Sequence, residues 1–341
     1  MEGQSMNISI KALFGMLLLT TALILGGCGP GEEEGPEGAP NGEVEDDEAV
    51  PDIPEEIRET EGEEPTLQVF LHEEEQVEEM EFEEYLKGVV AGEMEPDWPK
   101  DALAAQAILA RTFTLHKISE DGGVPDRDAH ASTDIEEFQA YSEEDITEEV
   151  EQAVEDTRGE VAVYEDNFIR SWFHAFAGPK TATAEEGLGY DEEDPPYIQV
   201  VDSPGMDIVP EEEKNWEESF SHDEISSAVE AVTGESPESI EQVEIVEEGP
   251  SGRAMELDIG GVQVPAPELR LELGSEVMRS TFYDEDDIEE GEDEVTFSGV
   301  GFGHGVGMCQ WGAKALVEEN NSPEEVVTYF YENVSIVDLW E

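Results

Sequence analysis

Between Thr66 and Glu73 the chain reads "TLQVFLHE", apolar positions set against polar ones at the two-residue period of a half-buried strand. The period then changes. In "EFEEYLKGVVAGE" the residues Leu86, Val89, Val90 and Glu93 recur at i, i+3, i+4 and i+7, which predicts an amphipathic helix from about Phe82. That spacing sets a carboxylate, Glu93, on the apolar face. "EPDWP" ends the helix, and Pro99 suits the first turn of the next, "KDALAAQAILARTFTLHK". Its alanines favour helix and permit close packing. Ala104, Ile108, Arg111 and Leu115 share one of its faces, so Arg111 is expected to be partly buried and to need an anion, with Glu93 among the candidates.

Further along, "EVAVYE" and "FIRSWFHAFA" read as two strands joined by an "EDN" turn. His174 in the second either lines a cleft or satisfies a hydrogen bond within the sheet. "SHDEISSAVEAV" is a helix capped at Ser221, and "IEQVEIVEE" is strand-like. "GRAMELDIGGVQVPAPELRLEL" gives strand, turn, then strand or short helix. Pro323 opens a last helix and "VSIVDLW" a last strand. This order predicts an α+β fold with mixed or antiparallel sheets and packed helices, rather than a regular βαβ array.

The ends differ from this middle. "ALFGMLLLTTALIL" after Lys11 has the length of a signal peptide, and "LGGC" follows it. That stretch resembles the lipobox of bacterial lipoproteins, which implies lipidation at Cys28, a membrane anchor and an extracytoplasmic location. Acidic residues, Gly and Pro then dominate to about residue 60, which predicts a disordered tether. The expected organisation is a signal peptide over 1–27, an acidic linker over 28–65 and one domain over 66–341. Of the two cysteines, Cys309 then has no disulfide partner and is expected to be buried as a small hydrophobe.

Charge narrows the function. The 341 residues hold 90 acidic and 15 basic side chains, a net −75, which excludes nucleic acid as a natural partner. Self-repulsion at this density destabilises a compact fold in dilute buffer. About 1 M salt shortens its range to roughly 3 Å, so the composition predicts a protein suited to concentrated salt. There is no Walker motif, no dinucleotide fingerprint and no HExxH.

Glu93 is the first chemical candidate. Burial raises a carboxyl pKa and keeps it protonated, the state a general acid needs. The plain alternative is a half-exposed acid at a fraying helix end. The second candidate is "GFGHGVGMCQWGA", Gly301–Ala313, whose glycines admit positive φ and close approach of a ligand or of other backbone.

"EEYLKGVVAGEMEPDWPKDALAAQAILARTFTLHK" and "GVGFGHGVGMCQWGAKALVEENNSPEEVVTYFYENV" closely resemble the two outer motifs of the stage II sporulation protein D (SpoIID/LytB) family. The resemblance implies action on peptidoglycan glycan strands already stripped of stem peptides, as a lytic transglycosylase, with Glu93 as catalytic acid. Arg111, His174, His304, Gln310 and Trp311 are then the expected substrate-binding residues. Some relatives are described as enhancers of cell-wall amidases, which makes an amidase a second candidate partner. Others bind zinc through a Cys and His cluster. The matching stretch here, "DRDAHASTDIEEFQAY", keeps His130, Gln139 and Tyr141 but has no cysteine, so no metal or other cofactor is expected. Glu95 also stands where the family usually has proline.

Overall fold

A computed structural model describes residues 50–341, apart from Glu59 and Glu61. The predicted signal peptide, Cys28 and the first part of the acidic linker lie outside the described residues. Strand β1 (Thr66–Leu71) pairs antiparallel with β2 (Gln76–Glu81), and helix α1 (Phe82–Glu93) follows without a break. Helix α2 (Lys100–Asp121) packs on α1, strand β3 (Ala131–Ser132) adds to β1 in parallel, and α3 (Glu148–Asp156) covers the other side. Leu67, Val69, Leu86, Val89, Val90 and Leu103 form the heart of this first core. Ile53 and Ile57 belong to it as well, so the expected linker over 28–65 is a correction at its C-terminal end. Two branched apolar residues amid the acids suffice to dock the segment.

Every residue of α2 from Ala102 to Thr112 is buried. A helix in that position has no solvent face, which is why its sequence lacks a clear amphipathic stripe. One side packs in the first core. Ala105, Ile108 and Leu109 enter another core, with Phe176, Met308, Ala313, Phe330 and Tyr331 from the C-terminal half.

Strands β4 (Glu160–Tyr164) and β5 (Asn167–Phe168) form the expected hairpin, its turn built by Glu165 and Asp166 at φ 47° and 66°. The long second strand does not form. Only β6 (Phe173–His174) is extended pairing. Its neighbours are claimed elsewhere: the Arg170 N–H donates to the Tyr197 hydroxyl (2.8 Å), and the Ser171 hydroxyl to the Leu109 carbonyl (2.8 Å).

After α4 (Ala184–Leu188) and α5 (Glu211–Lys214), residues 215–300 build a core of their own. It contains β7 (Asn215–Ser221), α6 (His222–Thr233), β8 (Val243–Glu248), β9 (Ala254–Ile259), β10 (Val262–Pro265), α7 (Ala266–Leu273), β11 (Ile288–Glu290) and β12 (Glu294–Val300). The sheets run β10-β9-β8 and β11-β12-β7, all antiparallel. Ser221 and Glu224 form the capping box that starts α6. The chain returns through β13 (Met308–Cys309), parallel to β6, then α8 (Gln310–Glu318), α9 (Pro323–Phe330) and β14 (Ser335–Asp338), which pairs with β4. The architecture is the expected mixed α and β fold with mostly antiparallel sheets. Among the described residues no helix is long and apolar enough to cross a membrane.

Arg111 is buried against an anion, as its place on the apolar face of α2 leads one to expect, and the structure picks the partner among the candidates. It is fully buried and pairs with Glu83, not Glu93, through Nε–Oε1 (3.0 Å) and Nη2–Oε2 (2.7 Å). Its Nη1 donates to the Glu160 carbonyl (2.7 Å), and Glu83 also accepts from the Gly159 N–H (3.1 Å) and the Trp340 indole (2.9 Å). The pair therefore ties α1, α2, β4 and the C-terminus together. Glu83 opens α1, where its acidic neighbours gave no sign that this residue is buried. Arg111→Met is expected to cost about 3–5 kcal/mol, because it leaves Glu83 as an uncompensated buried charge. Denaturant unfolding in concentrated salt measures this, and a loss below about 1 kcal/mol contradicts the assigned role.

Candidate active site

Glu93 is 6 % exposed. What dries it is a close backbone approach. Gly88 and Gly92 lie one turn apart on α1, and the segment Ala140–Ser142 runs along them. A Cβ on Gly92 would stand 2.6 Å from the Tyr141 nitrogen and 2.8 Å from the Ala140 carbonyl carbon. One on Gly88 would run into the Tyr141 ring. Without those side chains the Ser142 N–H donates to the Gly88 carbonyl (2.9 Å), and the Ala140 N–H to Glu93 Oε1 (2.7 Å). Tyr141 stacks on the buried Tyr85, ring centroids 5.9 Å apart. Two helical glycines each cost about 1 kcal/mol relative to alanine, and here the cost is offset by this contact.

Burial pushes the Glu93 carboxyl up to about 8, against the smaller opposing effect of the Ala140 N–H. The side chain is therefore a neutral acid at pH 7 that accepts one backbone hydrogen bond. Only a small part of its surface is open to a ligand oxygen.

The glycine run reaches Glu93 through α8. The Gln310 amide donates to the Glu93 carbonyl (3.1 Å) and approaches Gln106 Oε1 (3.4 Å). Trp311 stands over Trp98, centroids 4.7 Å apart, in the loop that follows Glu93. Lys314, one turn along α8, places its ammonium 4.8 Å from the Trp98 ring and 4.7 Å from the Trp311 ring.

The rest of the run is architectural. Gly301, Gly303, Gly305 and Gly307 alternate with Phe302, His304, Val306 and Met308, and all four have positive φ, from 71° to 116°. At Gly305 a Cβ would meet the Arg253 guanidinium, its Nε only 2.9 Å away. Arg253 is fully buried beneath, donating to the Ala177 (2.5 Å) and Lys180 (3.0 Å) carbonyls. Cys309 caps α8, its sulfur accepting from the Gly312 N–H (3.3 Å). It is buried and free, as expected, and burial pushes its thiol up.

Several expected ligand contacts are thereby corrected. Arg111 is committed to Glu83. His174 is 1 % exposed, its Nδ1 3.2 Å from the Val306 carbonyl, and burial followed by Arg253 brings it down to about 3. Its ring lies 5.4 Å from that of His304, also buried and held neutral by burial first and His174 second. Neither histidine lines an open cleft. Gln310 is 4 % exposed, so it positions Glu93 rather than a substrate. Trp311 alone of the five keeps an open face. Trp98, Lys314, Gly88, Gly92 and Tyr141 were missed. Helical glycines four apart, next to a carboxylate on the apolar face, were the signal that could have found the last three. Among the described residues no three His, Cys, Asp or Glu side chains gather as a metal site. The arrangement can present one neutral carboxylic acid, and the helix bonded to its backbone carbonyl also carries an indole pair with a cation over it.

The family pattern described as Stage II sporulation protein matches residues 71–164, and one described as Domain of unknown function (DUF8618) matches residues 190–307. An uncharacterized protein of Brachyspira hyodysenteriae is 32 % identical over 263 residues, 77 % of this chain and 68 % of that one. Stage II sporulation protein D of Bacillus amyloliquefaciens is 29 % identical over 299 residues, 82 % and 83 % of the two chains. The Amidase enhancer of Bacillus subtilis is 27 % identical over 294 residues, 74 % of this chain and 40 % of that one.

The Glu93 carboxyl makes stability depend on pH in a definite direction. Below about 4.5 it is protonated folded or unfolded. Between about 4.5 and 8 only the unfolded chain ionises there, so stability falls as pH rises and levels off above about 8. Glu93→Gln removes that dependence. The variant is expected to match wild type below pH 4.5 and to exceed it above pH 8 by a few kcal/mol, on the order of 1.4 per pKa unit. Parallel stability curves for the two proteins would contradict a dry Glu93. Gly92→Ala should push the Ala140–Ser142 segment away, wet the acid and shrink the same pH difference.

Proposed function

The chain belongs to the stage II sporulation protein D family, and from that premise we propose that it works on the glycan strands of peptidoglycan outside the cell membrane. Two finer readings divide on Glu93. The first is cleavage as a lytic transglycosylase. Neutral Glu93 donates its proton to the glycosidic oxygen as the C1–O bond breaks. The resulting carboxylate then takes the proton of the muramic C6 hydroxyl while that oxygen closes on C1, leaving a 1,6-anhydro end. One carboxyl serves as acid and then base. No second carboxylate and no attacking water are needed, unlike ordinary glycoside hydrolysis. The observation that carries this reading is an acid held neutral near pH 7, with Gln310 of the glycine-run helix bonded to its backbone carbonyl.

The second reading is a protein that binds glycan and stimulates a cell-wall amidase without cutting. A similar chain bears that name, and Glu93, with only 6 % of its surface open, is more enclosed than a cutting acid requires. The similarity favours this reading more directly than it favours cleavage.

Intact and amidase-treated peptidoglycan, incubated in concentrated salt with wild type and Glu93→Gln, separates the two. Anhydro-muramic products from wild type only, with activity falling as pH rises through about 8, support cleavage. No products from either protein, with faster hydrolysis by an added amidase, support the enhancer reading. Glu93→Gln is expected to lower product formation by at least 100-fold, the usual scale of general acid catalysis.

A further inference from the structure

One buried amide near Glu93 is only half satisfied. Gln139 is 2 % exposed and stands next to Ala140, whose N–H bonds Glu93 Oε1 (2.7 Å). Its Nε2 donates to the Thr114 hydroxyl of α2 (3.0 Å), which itself donates to the Ala110 carbonyl (2.9 Å). The same amide acts on the buried Tyr85 hydroxyl of α1 in the direction of a donor, against burial, Tyr141 and Glu93, which push that phenol up. Tyr85 in turn donates to the Ser132 carbonyl (3.3 Å). Both Nε2 hydrogens are thus taken by acceptors, one on each helix. Gln139 Oε1 is buried with no hydrogen-bond partner. An orphaned buried acceptor destabilises the fold, and an apolar side chain of the same shape would avoid that. An amide kept there answers to what its nitrogen holds.

We infer that Gln139 is a positioning residue: it fixes the register of the Ala140 N–H on Glu93 Oε1 and so leaves Oε2 as the oxygen that carries the acid's proton. The aromatic neighbours alone do not set this register. Phe138 packs edge-on against Phe113 (centroids 5.5 Å) and Tyr141 stacks on Tyr85 (5.9 Å), contacts that tolerate sliding of ring on ring. Directional bonds from one amide to two helices do not tolerate it. The inference deepens the cleavage reading and rests on it for its chemistry. The proton that Oε2 gives to the glycosidic oxygen is replaced by that of the C6 hydroxyl. A single oxygen therefore gives one up and takes one back, while the Ala140 N–H steadies the carboxylate in between. The other titratable groups about the acid are the phenols of Tyr85 and Tyr141, both pushed up by burial first. Helices α2 and α8 bring the amides of Gln106 and Gln310.

The test follows the ionisation of Glu93 as well as product. Wild type, Gln139→Met and Thr114→Val, each with and without Glu93→Gln, are unfolded by denaturant in about 1 M salt from below pH 4.5 to above pH 8. In wild type the stability difference made by Glu93→Gln levels off at about 8. Gln139→Met should free the segment, let water reach the acid and bring that point down by about one pH unit or more, tenfold in the acid's ionisation constant. Thr114→Val, which strips one acceptor from the same amide, should move it the same way, and adding it to Gln139→Met should move it no further. Val295→Ala, in the separate core of residues 215–300, should lower stability equally at every pH. Where wild type releases anhydro-muramic ends, the alkaline limb of kcat should shift with the same point while KM holds. An unmoved point in Gln139→Met, or in Thr114→Val if Gln139→Met does not fold, overturns the positioning role and leaves cleavage standing. A moved point with no product from any of these proteins keeps the positioning of the carboxyl and overturns its catalytic use.

Discussion

Two backbones meet at the centre of this structure because Gly88 and Gly92 have nothing to hold them apart. Helix α1 and the segment Ala140–Ser142 approach until a single methyl group would collide. That contact excludes water from Glu93, supplies the Ala140 N–H to its carboxyl group and stacks Tyr141 on Tyr85. A carboxyl left in water stays ionised near neutral pH. One in this crevice does not. Helix α2, buried on all sides over Ala102–Thr112, links the first core to the C-terminal core, where α8 reaches the acid.

Charge is organised by a second constraint. With 90 acids and 15 bases, each cation inside the fold answers a specific need. Arg111 neutralises Glu83 and ties four elements together. Arg253 and Arg270 are buried, and both are brought down to about 10 by burial, Arg270 also by Arg253. Arg253 gathers carbonyls from the strand side and supports the glycine run from below, which is why Gly305 has no room for a side chain. The run that looks like a ligand-binding wall is, over most of its length, a ribbon wrapped on an arginine. Its one partly open aromatic near the C-terminal end is Trp311, with Lys314 just beyond it.

The period of the apolar positions determined a great deal by itself. The β1 strand, α1, α2, the β4–β5 turn and the capped helix α6 follow from local patterns, because burial of one face imposes a repeat on the sequence. The same logic put Glu93 on the apolar side of α1, and its burial is the feature the candidate site depends on. Cys309 as a buried small hydrophobe was legible too, since the other cysteine, Cys28, sits in the lipobox-like stretch.

What only the tertiary structure decided is partnership. Arg111 chose Glu83 over Glu93, His174 packed on His304 behind the glycines, and the long strand after β5 shrank to two residues because Tyr197 and Leu109 took its polar groups. Ile53 and Ile57 joined the core from within an acidic stretch. Trp98 and Lys314, more than 200 residues apart, met on one platform. A sequence records which faces seek burial, because that preference belongs to each residue. It does not record which of many like charges or rings will be neighbours, because those choices are made between segments far apart in the chain, by the close packing of the whole.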